Sequence, residues 1–362
     1  MESRLQDEEA VFARAGLEIG QFNLGLFGPA GVGKSTLLNA VFGADLAATG
    51  IGRPITQKSD LYTAESSHLG IFDSKGLEVG TESKELLETL SKFIQSRRSK
   101  PLQDQLHVAW YCIAAHGRRF TAADAAFVRR LHELGVPVLI VITQAAAATD
   151  GPDVDTSDLV ASIVERDLPG IDGRIWLVNA LRDDFDGTPQ HGLEQLLEAT
   201  RKAAPRGVQT ALDAAQSLDM RRKGRAADKI IEGVIDRQNP LTNKAADTWA
   251  EMVFGISHIY GVPPGTAIEV VHASPLYKRA DRLHGTATNW FWLPIVGVLP
   301  FLGRAAILKE TTRAIGYSWR DCCESAWQSP DKGWPSWNQH VMQGALEESL
   351  KERLPGIFTF DK

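Results

Sequence analysis

Apolar residues in the first half of the chain form six short runs, separated by segments with helical spacing. The runs are FNLGLFG (22–28), DLYTAE (60–65), HLGIFD (68–73), LHVAWYCIAA (106–115), PVLIVITQ (137–144) and RIWLVNA (174–180). Most are continuously apolar, as expected of parallel strands that are buried on both faces. The helical segments are 34–42, 82–97, 121–134, 156–167 and 193–203. This alternation of strands and helices predicts a doubly wound α/β domain.

The second and third runs are too close together for a parallel crossover. Residues 61–65 and 68–73 are separated by only two positions. Parallel neighbours need a connection of a dozen residues or more, whereas an antiparallel pair can be joined by a tight turn. The sheet is therefore predicted to be mostly parallel with one antiparallel strand.

The pattern changes near Pro205, and we find no convincing strand run beyond it. Residues 207–238 have helical spacing, with Gly224 as a candidate break. Asn239-Pro240 separates this segment from the next helical one. A short helix with a charged face is also expected near the start, at about 4–18. We therefore predict an N-terminal helix (1–20), an α/β domain (21–205) and an all-α C-terminal domain (206–362).

The first strand runs into a glycine-rich loop, which then opens a helix. Residues 28–35, GPAGVGKS, match G-x-x-x-x-G-K-[ST] at every fixed position, and they have the strand-before, helix-after context that a phosphate-binding loop requires. Glycines let backbone N–H groups converge on phosphate, and the helix N-terminus adds a positive end. Lys34 is expected to reach the β and γ phosphates, and Ser35 to bind Mg²⁺. The predicted phosphate site comprises Gly28, Pro29, Ala30, Gly31, Val32, Gly33, Lys34, Ser35 and Thr36.

Two further elements have the spacing that a nucleotide switch needs. Asp73 and Gly76 form D-x-x-G at the end of a strand, where the carboxylate would hold the Mg²⁺ shell and the glycine N–H would contact the γ-phosphate. A threonine from the preceding loop should complete the metal shell and sense the γ-phosphate. Thr56 is the best candidate, with Thr49 as the alternative. The predicted metal ligands are thus Ser35, Thr56 and Asp73.

The P-loop, the switch threonine, the hairpin and D-x-x-G, in this order, resemble the Era-like branch of the translation-factor-related GTPases. The resemblance covers about residues 21–204 and implies a P-loop NTPase G domain that binds GTP or GDP with Mg²⁺. It implies a catalytic role for Lys34, Thr56 and Gly76. Leu77 follows Gly76 where Ras-type enzymes have a water-orienting glutamine. We therefore expect slow intrinsic hydrolysis, with help from a switch residue, a bound K⁺ or a partner across a dimer.

The motif that selects guanine in these GTPases, N/T-K-x-D, is only partly present. This chain has Thr143-Gln144-Ala145-Ala146, so Gln144 could lie over the base but Ala146 offers no acceptor. Asp150 or Asp153 could substitute. Asn179-Ala180 resembles the loop whose backbone N–H contacts guanine O6. Guanine is the preferred ligand, and ATP binding, relaxed base choice or no productive binding remain alternatives.

The C-terminal half resembles a helical domain found behind Era-like GTPase domains in bacteria, with immunity-related GTPases as distant relatives in architecture. The residues that carry this resemblance are SHIYGVPPG (257–265) and the stretch from Trp290 to Asp321. The apolar segment 289–303 suits either a shallow membrane hairpin or a packed loop, and its two prolines forbid one regular helix. The basic cluster 221–225 suits either anionic lipid or a solvated helix face.

Composition limits the kinds of partner and the cellular compartment that we expect. The net charge of -6 argues against a nucleic-acid partner, and three cysteines without ligand spacing suggest a reducing cytosol. The acidic start of the sequence lacks the apolar core of a secretory signal. We expect a cytoplasmic GTPase that acts as a molecular switch through its helical domain. The alternative is an assembly or membrane-associating module with little hydrolysis, in which a nucleotide-dependent dimer, a protein partner or contact with the inner membrane face is the output. A small-molecule kinase shares the P-loop but has less support.

Overall fold

The protein divides into two compact units. The computed structural model describes residues 2–43, 61–63, 68–73, 83–117, 119–146, 153–170, 174–182, 189–238, 245–274, 300–327 and 337–354. One unit comprises Gly20–Asp219, and the other comprises Met1–Ile19 together with Met220–Lys362. The initial helix thus belongs with the C-terminal helices, and the chain passes between units at 19/20 and at 219/220. These limits differ from those expected at 20 and 205.

The first unit is built on a six-stranded sheet in the order β2-β3-β1-β4-β5-β6. Only β2 is antiparallel, and it pairs with β3 as the short connection predicts. The strands are β1 (Phe22–Phe27), β2 (Leu61–Thr63), β3 (Leu69–Asp73), β4 (Val108–Ala114), β5 (Val138–Thr143) and β6 (Ile175–Leu177). All six predicted strands are confirmed. The central strands β1 and β4 are buried along almost their whole length, as expected of continuous apolar runs in such a sheet.

Helices flank these strands, and their bounds lie within a few residues of the expected ones. In this unit they are α2 (Lys34–Phe42), α3 (Ser83–Arg97), α4 (Ala122–Glu133), α5 (Val154–Val164), α6 (Leu193–Ala203) and α7 (Gln209–Ala215). Helix α4 starts at a capping box in which Thr121 and Asp124 satisfy each other's backbone N–H groups. Helix α7 contacts β1 and β3, so it belongs to the sheet unit.

The helix expected over 207–238 breaks at a different place from the one predicted. Helix α7 ends at Ala215, and α8 (Met220–Arg237) passes through Gly224 without interruption. The side-chain oxygen of Gln216 accepts hydrogen bonds from the N–H groups of Leu218 and Asp219, both at 2.7 Å. These bonds satisfy the backbone N–H groups of the turn between the two helices. The break therefore lies at Gln216 and not at Gly224, the candidate suggested by the sequence.

Among the residues that the structure describes, the second unit contains six helices. They are α1 (Glu2–Ile19), α8, α9 (Ala245–Tyr260), α10 (Pro264–Ala273), α11 (Pro300–Trp327) and α12 (Gln339–Arg353). Its core buries tryptophans whose indole N–H groups bond to helical hydroxyls. Trp249 donates to Thr312 Oγ1 at 2.7 Å, and Trp319 donates to Ser257 Oγ at 3.0 Å. Each hydroxyl in turn donates to the carbonyl four residues earlier, so the buried polar atoms are satisfied.

One of the four cations in the basic cluster 221–225 is buried. Lys223 is 3% exposed, and its Nζ donates to Ile259 O at 2.6 Å and lies 5.0 Å from the Trp327 ring centre. The lysine therefore caps the end of α9. Among the described residues, no helix has the length and apolarity to cross a bilayer. Residues 289–299 of the apolar segment lie outside the described ranges.

Candidate functional site

The sheet topology places the glycine-rich loop at the point where the strand order reverses. Strand β1 lies between β3 and β4 and is parallel to both. The connections from β1 and from its neighbours leave the same edge of the sheet, because the carboxyl ends of parallel strands coincide. In open α/β sheets, ligands bind in the crevice outside this edge at the switch point.

Three glycines of the loop adopt left-handed backbone conformations. Their φ angles are 125° for Gly28, 76° for Gly31 and 85° for Gly33, values that side-chain-bearing residues rarely adopt. A Cβ on Gly28 would lie 2.1 Å from the carbonyl oxygen of Cys112, whereas one on Gly31 would meet nothing within 4 Å. Gly28 is therefore fixed by its close approach to β4, and the loop turns its backbone inward as a phosphate cradle requires.

Lys34 begins helix α2 and folds back across the loop. Its Nζ donates to the carbonyl oxygens of Gly28 at 2.8 Å and Pro29 at 2.7 Å. The first turn of α2 has no acidic residue, and Gly33 provides no side-chain cap. Ser35 and Thr36 are half-buried in this turn. The loop thus combines a cation, hydroxyls and a helix N-terminus, which together favour an anion.

The neighbouring thiol takes no part in this chemistry. Cys112 is completely buried on β4, and burial raises the pKa of its thiol to about 12, although the Lys34 ammonium acts in the opposite direction. A thiol with so high a pKa stays protonated and is a poor nucleophile.

Thr143, the last residue of β5, ties this strand to the loop. Its hydroxyl, in a residue only 2% exposed, lies 2.5 Å from Val32 O and 3.1 Å from Ile113 O. Thr143 was expected to belong to the base-recognition motif. In the structure its hydroxyl bonds the phosphate loop and the end of β4, and its part in base recognition stays a prediction.

Gln144 follows with a left-handed backbone, at φ 55°, and its side chain is exposed. Its Nε2 atom lies 3.5 Å from the position a Cβ on Gly33 would occupy, so the amide lies beside the phosphate loop. A positive φ is unusual for glutamine and stores backbone strain at a site of this kind. Ala145 is buried and Ala146 is exposed.

Asn179 and Ala180 lie at the same edge, beyond β6. Both backbone groups of Asn179 pair with those of His191 at 3.1 Å, and its side-chain amide donates to Pro189 O at 3.1 Å. Gln190 Nε2 donates to Ala180 O at 2.9 Å. No sequence motif marks residues 189–191, and their position next to the predicted base contacts emerges only from the fold.

Asp153, considered as a substitute for the missing base-recognition carboxylate, caps helix α5. One carboxylate oxygen accepts the N–H of Thr156 at 2.8 Å, and the other accepts its hydroxyl at 2.9 Å. These hydrogen bonds lower the pKa of Asp153. Both oxygens therefore have partners at the start of α5, and a part in base binding stays a prediction.

The predicted switch residues Thr49, Thr56 and Gly76 lie outside the described ranges. So do Leu77, which follows Gly76, and Asp150, which was considered as a substitute for the base-recognition carboxylate. Asp73 is described as the last residue of β3, where it stands in register with Leu26 of β1. Its backbone is therefore on the strand next to the one that carries the phosphate loop.

Comparison with known proteins supports a GTPase domain. Residues 23–144 match the family model described as 50S ribosome-binding GTPase, about a third of the chain. The chain is 26% identical over 294 residues to GTPase Der of Shewanella loihica, covering 80% of this chain and 53% of that protein. It is 22% identical over 147 residues to Cell division control protein 10 of Saccharomyces cerevisiae, covering 33% of this chain and 46% of that protein.

Among solved structures, the chain resembles a probable GTP-binding protein engB, with 17% identity and a TM-score of 0.35. The likeness covers 50% of this chain and 97% of that chain. The chain spans about half the length of the curated relatives that it matches. The match of 23–144 and the loop geometry together identify a P-loop GTPase domain followed by a large helical portion. The resemblance of residues 206–362 to a particular helical domain stays a prediction.

Proposed function

We propose that this protein binds GTP and GDP with Mg²⁺, hydrolyses GTP slowly, and acts as a molecular switch whose state is read by its helical unit. The observation that carries this proposal is the phosphate cradle, with its left-handed glycines and the inward-folded Lys34 at the start of α2. Such a loop stabilises a polyphosphate through backbone N–H groups, the lysine and the helix dipole.

The donor set around the loop suits magnesium. Ser35 offers a hydroxyl in the first turn of α2, and Asp73 ends the strand next to β1. Together with Thr56, these residues would supply the oxygen ligands that Mg²⁺ prefers. When bound, the ion would neutralise charge on the β and γ phosphates. Lys34 would hold the same phosphates, and the N–H of Gly76 would respond to the γ-phosphate.

Slow hydrolysis follows from the residue after Gly76. Leu77 has no polar atom in its side chain with which to orient water, so the chain itself supplies no counterpart of the Ras-type glutamine at that position.

The residues at the base site favour a second candidate function as well. Ala146 carries no acceptor and Asp153 is engaged as a helix cap, which would suit a nucleotide-dependent assembly module with relaxed choice between GTP and ATP.

The test is multiple-turnover phosphate release by the purified protein with GTP, with and without Mg²⁺. Lys34→Ala should abolish both nucleotide binding and turnover, and the exposed Lys92→Ala on α3 serves as the matched control. Slow, Mg²⁺-dependent turnover that Lys34→Ala removes would support the GTPase. Nucleotide binding without any turnover would favour the assembly module, and unchanged activity in Lys34→Ala would refute both.

A further inference from the structure

Residues 189–191, here called the brace, connect the loops that follow β5 and β6. The brace pairs with the loop after β6 through the backbone of His191 and Asn179, in an isolated antiparallel bridge. Two side-chain bonds flank this bridge, from Asn179 to Pro189 O and from Gln190 to Ala180 O. The loop expected to contact the base is thus held along its length rather than at one point.

The brace also reaches the loop after β5 through the imidazole of His191. Its Nε2 lies 2.9 Å from Ala145 O, and the N–H of Ala145 donates to Val178 O at 3.1 Å. Ala145 is 1% exposed, so both of its backbone groups are bonded inside the protein. Its neighbours Gln144 and Ala146 are exposed on either side of this fixed point.

The chain after the brace has little room to shift. Gly192 has φ 78°, and a Cβ at this position would lie 2.1 Å from Leu177 O. Gly192 also caps helix α6, so the backbone of His191 is held between the end of β6 and the start of that helix. An imidazole anchored in this way can hold the Ala145 carbonyl in a defined place.

We propose that His191 is a positioning residue for the nucleobase, a role that rests on the proposed nucleotide function. A carboxylate at position 146 would fix the base by itself, but Ala146 has none. Base affinity then depends on where Gln144 and the backbone of 179–180 stand, and His191 bonds to both loops.

The experiment compares the affinity for GTP with that for inorganic tripolyphosphate, a probe of the phosphate loop alone, in His191→Ala, His191→Gln and wild type. Loss of one hydrogen bond predicts that His191→Ala weakens GTP binding by about tenfold. Tripolyphosphate binding should be unchanged. His191→Gln keeps an N–H donor and should recover most of the GTP affinity. His340→Ala, an exposed histidine on α12, is the matched control.

Equal weakening of both ligands, or unchanged GTP affinity in His191→Ala, would overturn the role. If His191→Ala fails to fold, Gln190→Ala provides the same comparison, because this exposed side chain contributes one bond to Ala180 O. A wild type that binds GTP no better than tripolyphosphate would refute the proposed nucleotide function itself. If wild type prefers GTP and the variants keep the same preference, only the positioning role of His191 would be refuted.

Discussion

The bond between Thr143 and the phosphate loop gives the sharpest prediction on stability. Replacing Thr143 by valine keeps the shape of the side chain but removes the hydroxyl that lies 2.5 Å from Val32 O. The residue is 2% exposed, so water cannot readily replace the lost donor. Leaving a buried carbonyl without its partner costs about 1–3 kcal/mol. Because Val32 lies within the phosphate loop, the loss should act on nucleotide binding as well as on folding.

The assay combines urea unfolding with a titration of GDP against wild type, Thr143→Val and Thr143→Ser. We expect Thr143→Val to lose about 1–3 kcal/mol of unfolding free energy and to bind GDP about tenfold more weakly. Serine keeps the hydroxyl and should lie close to wild type in GDP affinity. The reasoning is refuted if valine matches wild type in both measurements, or if serine loses as much affinity as valine.

Three further predictions concern the loop, its base site and the opposite edge of the sheet. Gly28→Ala should abolish nucleotide binding in a titration, because its Cβ would lie 2.1 Å from Cys112 O. Gly31→Ala should lose only about 1 kcal/mol of binding free energy to backbone strain. Equal effects of the two variants would contradict the assigned close approach of Gly28. Ala146→Asp should raise the ratio of GTP to ATP affinity by about 10-fold or more, because a charged hydrogen-bond acceptor adds about 1.5–3 kcal/mol of binding free energy. An unchanged ratio would show that position 146 does not face the base. His107 accepts the N–H of Asn23 at Nδ1 and donates from Nε2 to Leu102 O, and burial lowers its pKa, so the folded state favours the neutral form. Its contribution is present above the unfolded value of 6.5 and is lost as pH falls through the lower folded pKa. As pH falls from 6.5 to the lower folded pKa, the unfolding free energy of wild type should therefore fall more steeply than that of His107→Gln, by at most about 1.4 kcal/mol per pH unit. Parallel pH profiles would contradict the assignment.

The mostly parallel sheet with one antiparallel strand and the phosphate loop follow from local patterns. Continuous apolar runs predict buried parallel strands, and the two-residue spacing before His68 predicts the antiparallel pair, both of which the structure confirms. The loop was recognisable because glycine and lysine at fixed spacing carry its chemistry. These features depend on near neighbours in sequence, which is why they could be predicted.

Features that depend on distant contacts were not predictable in this way. Gln216 ends a helix through its side chain, whereas the expected break was at a glycine. Lys223 turns inward because the end of α9 offers it a carbonyl, so one cation of the basic cluster is removed from the surface. The role of His191 depends on Ala145, far away in sequence, and no local pattern marks such a pair. Long-range hydrogen bonds therefore decide where helices end and which polar side chains are buried, and local sequence patterns do not show these bonds.

The central claim is that the phosphate loop serves a guanine nucleotide despite the altered base motif. Its most direct test is equilibrium calorimetry of the nucleotide-stripped protein with GTP, GDP and ATP in Mg²⁺. We predict tight binding of GTP and GDP with much weaker binding of ATP. Equal affinity for ATP and GTP would contradict the guanine assignment and leave a P-loop switch without base selection.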